Sequence, residues 1–154
     1  PRPFSGMTTF ENVYVAAAHA GDKGRDEAYA AVIDSLRLCG MLDVANRRAE
    51  TLGLLDRKRL ELARAVATGP KLILLDEIGG GLTDAEAQEL VLTIQELRRR
   101  NIGIIWIEHI VHVLLQVVQR LICMDAGKII ADGDPKSVMA HPDVVRAYLG
   151  GGAK

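Results

Sequence analysis

The chain has 154 residues, 49% of them hydrophobic and only 4% aromatic, which suits one compact domain with an aliphatic core and excludes a disordered chain. A formal net charge of −1 and a pI near 6.5 provide no global field for nucleic acid or acidic lipid. The apolar runs, such as Ile102 to Ile107, are far shorter than the roughly 20 residues a bilayer span needs, so any membrane role passes through a partner.

The start, Pro1-Arg2-Pro3-Phe4, leads into no apolar segment of the secretory type. Residues 5–25 are mixed, with Gly6, Gly21 and Gly24 around a short stretch from Thr9 to His19. From Asp26 the spacing of Tyr29, Val32, Ile33 and Leu36 predicts a helix, which Gly40 ends. Leu42 to Arg48 adds a short turn. A second helix is predicted from about Arg57 to Thr68, closed by Gly69-Pro70. Cys39 and Cys123 have no metal-type spacing and read as two reduced, mostly buried thiols.

After Pro70 the pattern changes. Leu72-Ile73-Leu74-Leu75 is a continuous apolar run, expected as a strand buried on both faces. Gly79-Gly80-Gly81 follows as a turn, and Thr83 with Glu86 three residues on forms a capping box that opens a helix. Ala87, Leu90, Ile94 and Leu97 form its inner face, and Arg98-Arg99-Arg100 suits its C-terminal dipole. Ile102 to Ile107 is a second buried strand, and Val111, Leu114, Leu115 and Val118 stripe the next helix. Arg120 to Met124 and Lys128 to Asp132 read as strands joined by the tight turn Asp125-Ala126-Gly127. Asp134-Pro135 and His141-Pro142 each place a proline at a helix start. The alternation of strands and helices predicts an α/β domain with a mainly parallel sheet, whose chemistry belongs at the carboxyl ends of its strands.

Two strand ends carry such groups. Asp76, rigidly held at the tip of the first strand, is placed to hold Mg²⁺ directly or through water, and Glu77 to orient or deprotonate an attacking water. An ordinary strand running into an acidic turn reads equally well from these residues alone. Glu108-His109 ends the next strand; adjacent strands would bring His109 to the same site, while Glu108 reads as structural.

Together these segments resemble the ATP-binding cassette ATPases. Leu72 to Glu77 resembles their Walker B segment, Gly80-Gly81-Leu82-Thr83 the D-loop, and His109 the switch histidine. Leu52 to Ala65 aligns with the signature loop and its helix, and Arg2 to Val13 with the segment after the Q-loop glutamine. The ending His141 to Gly150 and the run Arg57 to Arg64 resemble the branch that serves branched-chain amino-acid importers. The resemblance implies part of a P-loop NTPase domain: a helical subdomain and signature helix over about 20–68, a catalytic core over about 70–133 and C-terminal helices over 134–154. It implies ATP with Mg²⁺ on Asp76, catalysis by Glu77 and His109, and nucleotide contacts from Leu52, Gly53, Leu54, Leu55 and Asp56 and from Gly81 and Thr83. It also implies a second ATPase subunit, transmembrane permease subunits reached near Met7 to Ala18 and within 26–50, and a peripheral place on the cytoplasmic face of the membrane, with no nucleic-acid partner.

Three departures qualify this. No G-x-x-x-x-G-K-[ST] run occurs, so the chain reads as the C-terminal part of a subunit and is expected not to hydrolyse ATP alone. Leu52-Gly53-Leu54-Leu55-Asp56 is a degenerate signature loop, with Leu55 at a usual glycine position. Thr83 stands at the usual D-loop aspartate, where helix capping explains it more simply than an active-site contact, and Ile78 replaces a usual proline. A non-catalytic interaction module and a DNA-repair ATPase are the alternatives; the latter lacks the long heptad coiled coil it would need.

Overall fold

A computed structural model describes residues 3–20 and 23–149. Pro1, Arg2, Gly21 and Gly150, drawn on above, lie outside the described residues. The chain divides into two compact units, Pro1–Val113 and Leu114–Lys154.

In the first unit, helix α1 (Thr9–His19) occupies the stretch for which the sequence suggested no definite element. Its start is fixed by a capping box: the Thr8 hydroxyl accepts the Glu11 amide at 3.1 Å, and the Glu11 carboxylate accepts the Thr8 amide at 2.7 Å. Helix α2 (Arg25–Leu38) buries Val32 and Leu36, but Tyr29 and Ile33, expected on the same stripe, are exposed. Tyr29 instead joins Phe10 and Tyr14 of α1 in an aromatic cluster, its ring 5.0 Å from that of Tyr14. Helix α3 (Leu54–Ala67) begins three residues before the expected Arg57, with Gly53 as its N-cap, so the supposed signature loop is largely its first turn.

Strands β1 (Leu72–Asp76) and β2 (Gly103–Ile107) pair in parallel, with Leu72 opposite Gly103 and Asp76 opposite Ile107. Ile73 and Leu75 are buried, whereas Leu72, Leu74, Ile105 and Ile107 are exposed. The expectation of burial on both faces is therefore corrected: Ile73 and Leu75 are buried on one face of the pair, and the apolar side chains of the other face meet solvent. Helix α4 (Asp84–Arg99) follows the expected pattern, with Ala87, Leu90, Ile94 and Leu97 all buried. The predicted helix from Val111 is only one turn, α5 (Val111–Leu114). It continues as a hydrogen-bonded turn with Val117 buried, and Leu115, expected on the apolar stripe, is exposed.

In the second unit, β3 (Leu121–Asp125) and β4 (Lys128–Gly133) form an antiparallel hairpin. Ala126 and Gly127 are both left-handed, which matches the twist of a two-residue hairpin turn. Arg120 grips Asp132 through two hydrogen bonds of 2.7 and 2.6 Å. Helices α6 (Pro135–Met139) and α7 (Pro142–Val144) start as predicted, capped by Asp134 and His141 with proline in the first turn. Among the described residues only the β1–β2 pair is parallel, so the parallel pairing is confined to the strands that carry the candidate site. Among the described residues, no helix is long and apolar enough to cross a membrane.

Candidate active site

The register of β1 and β2 assembles the site. Because Asp76 lies opposite Ile107, the residues that follow each strand leave the sheet side by side. The Glu77 amide extends the ladder by donating to the Ile107 carbonyl at 2.9 Å. Glu77 itself is left-handed, with φ of 47°, a conformation that costs a side-chain-bearing residue roughly 1–2 kcal/mol. That turn takes the Glu77 side chain out of the sheet and towards His109: its Oε1 lies 3.8 Å from His109 Nδ1, and both side chains are about two-thirds exposed. Asp76 is exposed at the strand tip beside them.

Below this pair sits Glu108, whose side chain is wholly enclosed. Its Oε2 accepts the Gly79 amide at 2.8 Å, and its Oε1 accepts the His109 amide at 3.1 Å. The same Oε1 lies 3.4 Å from His109 Nδ1. Gly79 is required by this approach, since a β-carbon there would lie 2.8 Å from Oε2 and 3.3 Å from the carboxyl carbon. Lys58 of α3 is buried; desolvation holds its ammonium below the usual lysine range, and the Glu108 carboxylate opposes that shift.

The residues from 77 to 82 form overlapping turns, with the Gly80 amide donating to the Glu77 carbonyl and the Leu82 amide to that of Gly79, each at 3.3 Å. Gly81 closes them at φ of 77°, where a β-carbon would meet the Leu54 side chain at 3.2 Å. The D-loop segment and the start of α3 are therefore neighbours. Thr83 caps α4 as expected: its hydroxyl accepts the Glu86 amide at 3.3 Å, and the Glu86 carboxylate accepts the Thr83 amide at 2.8 Å. Those backbone and hydroxyl bonds hold the Glu86 carboxyl below the ordinary glutamate range.

The structure thus brings Glu77 and His109 together next to Asp76, and Gly81 against Leu54. Of the remaining signature-loop residues, Leu52 and Leu55 point into the core, so their apolar character meets a packing requirement. Gly53 is the helix cap, and Asp56 lies 3.7 Å from Arg59 within the helix. Sequence reasoning left Lys58 and Gly79 unassigned. Lys58 was visible in principle, because Leu55, Lys58 and Leu62 share an i, i+3, i+7 stripe on which a charge needs a partner.

Residues 128–154 match the family described as branched-chain amino acid ATP-binding cassette transporter. The chain is 35% identical to the high-affinity branched-chain amino acid transport ATP-binding protein LivG of Salmonella typhimurium, over 97% of this chain and 64% of that protein. It is 31% identical to BraF, the corresponding ATP-binding protein of Pseudomonas aeruginosa, with the same coverage. An ATP-binding cassette of an ABC transporter, solved in its ADP conformation, superposes with a TM-score of 0.85 at 27% identity, over 97% of this chain and 65% of that one. The chain thus spans a little under two-thirds of the length of these relatives. The chain shares the fold of the ATP-binding cassettes and is similar to ATP-binding cassette ATPases along 97% of its length. The relatives it matches, and the family model over residues 128–154, are of the branched-chain amino-acid transporter type.

Proposed function

We propose that this chain is the later part of an ATP-hydrolysing subunit that drives import of branched-chain amino acids or related small solutes. One observation carries the reading: Glu77 and His109 face each other 3.8 Å apart from the ends of adjacent parallel strands, beside the free carboxylate of Asp76. In that arrangement Glu77 orients and deprotonates the water that attacks the terminal phosphate, and His109 contacts that phosphate and the water. Both side chains are open to a nucleotide, and the left-handed turn at Glu77 fixes its carboxylate against the imidazole.

Asp76 is the proposed Mg²⁺ ligand. Among the described residues, no three His, Cys, Asp or Glu side chains gather as a metal site. A single exposed strand-end carboxylate fits Mg²⁺ nonetheless, because this ion takes one or two carboxylates and fills its octahedron with phosphate oxygens and water. When bound, it neutralises charge on the phosphates.

The 154 residues contain no G-x-x-x-x-G-K-[ST] run, so the backbone cradle for the phosphates must come from outside them, and hydrolysis by this chain alone is not expected. In the assembly proposed here, two subunits enclose ATP between the Asp76–Glu77 strand end of one and the Leu52–Asp56 segment of the other, with Gly81 and Thr83 at the seam. The subunit lies on the cytoplasmic face of the membrane, held by permease subunits that contact α1 and α2.

The test uses the full-length polypeptide carrying this sequence. Glu77→Gln is expected to retain ATP binding and to lower hydrolysis by about 10²-fold or more, the usual worth of a general base. A Glu77→Gln protein hydrolysing ATP at the wild-type rate would refute the catalytic assignment and favour an interaction module. Uptake of leucine, of short amides and of urea by the reconstituted transporter then separates the solute classes.

A further inference from the structure

Glu108 is the most deeply enclosed charged side chain at the site, yet the proposed chemistry does not use it. Each of its oxygens accepts a backbone amide: Oε2 that of Gly79 at 2.8 Å and Oε1 that of His109 at 3.1 Å. Gly79 stands two residues after Glu77 in the turn that aims the Glu77 carboxylate, and His109 is the other half of the exposed pair. One buried group therefore holds both segments that carry the exposed pair.

We propose that Glu108 is a positioning residue, whose enclosed carboxylate clamps the Gly79 turn and the His109 backbone into one unit that sets the spacing of Glu77 and His109. The proposal rests on the hydrolytic reading given above, since only there does that spacing matter. The negative charge is essential to the clamp. A carboxylate accepts from both amides, whereas a carboxamide accepts on one side only and presents its NH₂ to the other donor. The absence of a side chain at Gly79 belongs to the same device, because any β-carbon would push the carboxylate off the amide.

Two measurements test the clamp. In this chain, Glu108→Gln should speed amide hydrogen exchange at Gly79 by roughly five- to tenfold, the loss expected when a charged acceptor becomes neutral. In the full-length polypeptide, the same variant should lower kcat for ATP hydrolysis by about tenfold or more while leaving KM within about twofold, because nucleotide binding is not what the clamp secures. Glu108→Asp, which keeps the charge but withdraws it by one methylene, carries the same expectations in case the glutamine variant does not fold. Unchanged exchange at Gly79, an unchanged kcat, or a loss confined to KM and thermal stability would each overturn the proposal. A full-length wild-type protein with no Glu77-dependent hydrolysis would instead sink the hydrolytic reading, and exchange at Gly79 would still decide whether the clamp exists.

Discussion

Gly79→Ala isolates the tightest approach at the site. The alanine β-carbon would lie 2.8 Å from Glu108 Oε2 and 3.3 Å from its carboxyl carbon, where unstrained contacts begin near 3.4 Å. Relief requires the carboxylate to retreat by about half an ångström, yet its side chain is fully enclosed and bonded on both oxygens. The retreat weakens a charged hydrogen bond worth about 1.5–3 kcal/mol, and overpacking adds a cost of similar order. Against this, replacing glycine lowers unfolded-chain entropy and returns about 0.4–1 kcal/mol. The net expectation is a destabilisation of about 2 kcal/mol. Urea unfolding followed by the fluorescence of Trp106, the chain's single tryptophan and two residues before Glu108, reads it directly. Adding Glu108→Ala should remove the clash, so the double variant should be less destabilised than the sum of the singles by about 1 kcal/mol or more. A Gly79→Ala protein within 0.5 kcal/mol of wild type, on the order of an ordinary surface change, would refute the reasoning.

Thr83→Ala removes the hydroxyl half of the α4 capping box and should cost about 1 kcal/mol, visible in the urea midpoint and as faster exchange in the first turn of α4; no change in either would show the cap to be idle. Glu11, Glu50 and Glu86 are all held below the ordinary glutamate range, chiefly by backbone amide bonds, so the unfolded chain binds their protons more readily than the folded one. Their contribution is complete above the unfolded value of about 4.3 and is lost as pH falls through the depressed folded values. The urea midpoint should therefore drop between pH 5 and pH 3, and a constant midpoint would contradict the assignment. Burial pushes the Cys39 thiol up to about 12, whereas Cys123 is only partly buried. At pH 8 a thiol reagent should label Cys123 in the native chain and both cysteines in urea, and native labelling of Cys39 would show that α2 opens.

Much of the site was legible because strand ends and caps announce themselves locally. Leu72 to Leu75 followed by Asp76-Glu77, and Thr83 with Glu86, are short-range patterns that depend on little beyond their own residues. The partnership of Glu77 with His109 was also accessible, since it needs only that two successive strands be neighbours. Other features depend on which surfaces meet. A continuous apolar run cannot say whether one face or two are covered, and here Leu74 is exposed while Leu75 is buried. Helix α1 carried its Thr8–Glu11 capping box in plain view, but the Ala-rich stretch behind it has no strong apolar stripe. Glu108 reads as structural because the Gly79 amide it accepts comes from 29 positions away in sequence. Leu55 read as a damaged glycine position, and packing against the core is a reason for leucine that no single segment reveals.

The uncovered face of the β1–β2 pair sets how the 154-residue chain behaves in solution. Leu72, Leu74, Ile105 and Ile107 are between 51% and 71% exposed on one side of the pair. Covering them would release roughly 5 kcal/mol of hydrophobic free energy, about a third of the way to a stable domain's full stability at the upper end of the usual range. That reserve has no built-in selectivity. At high concentration it will drive any apolar surface, including another molecule of the same chain, onto the sheet, so light scattering should rise with concentration and fall when Leu74 and Ile105 are replaced by threonine. The same four side chains that lead to the proposed active-site strand end are therefore also the ones that limit how concentrated the isolated chain can be held.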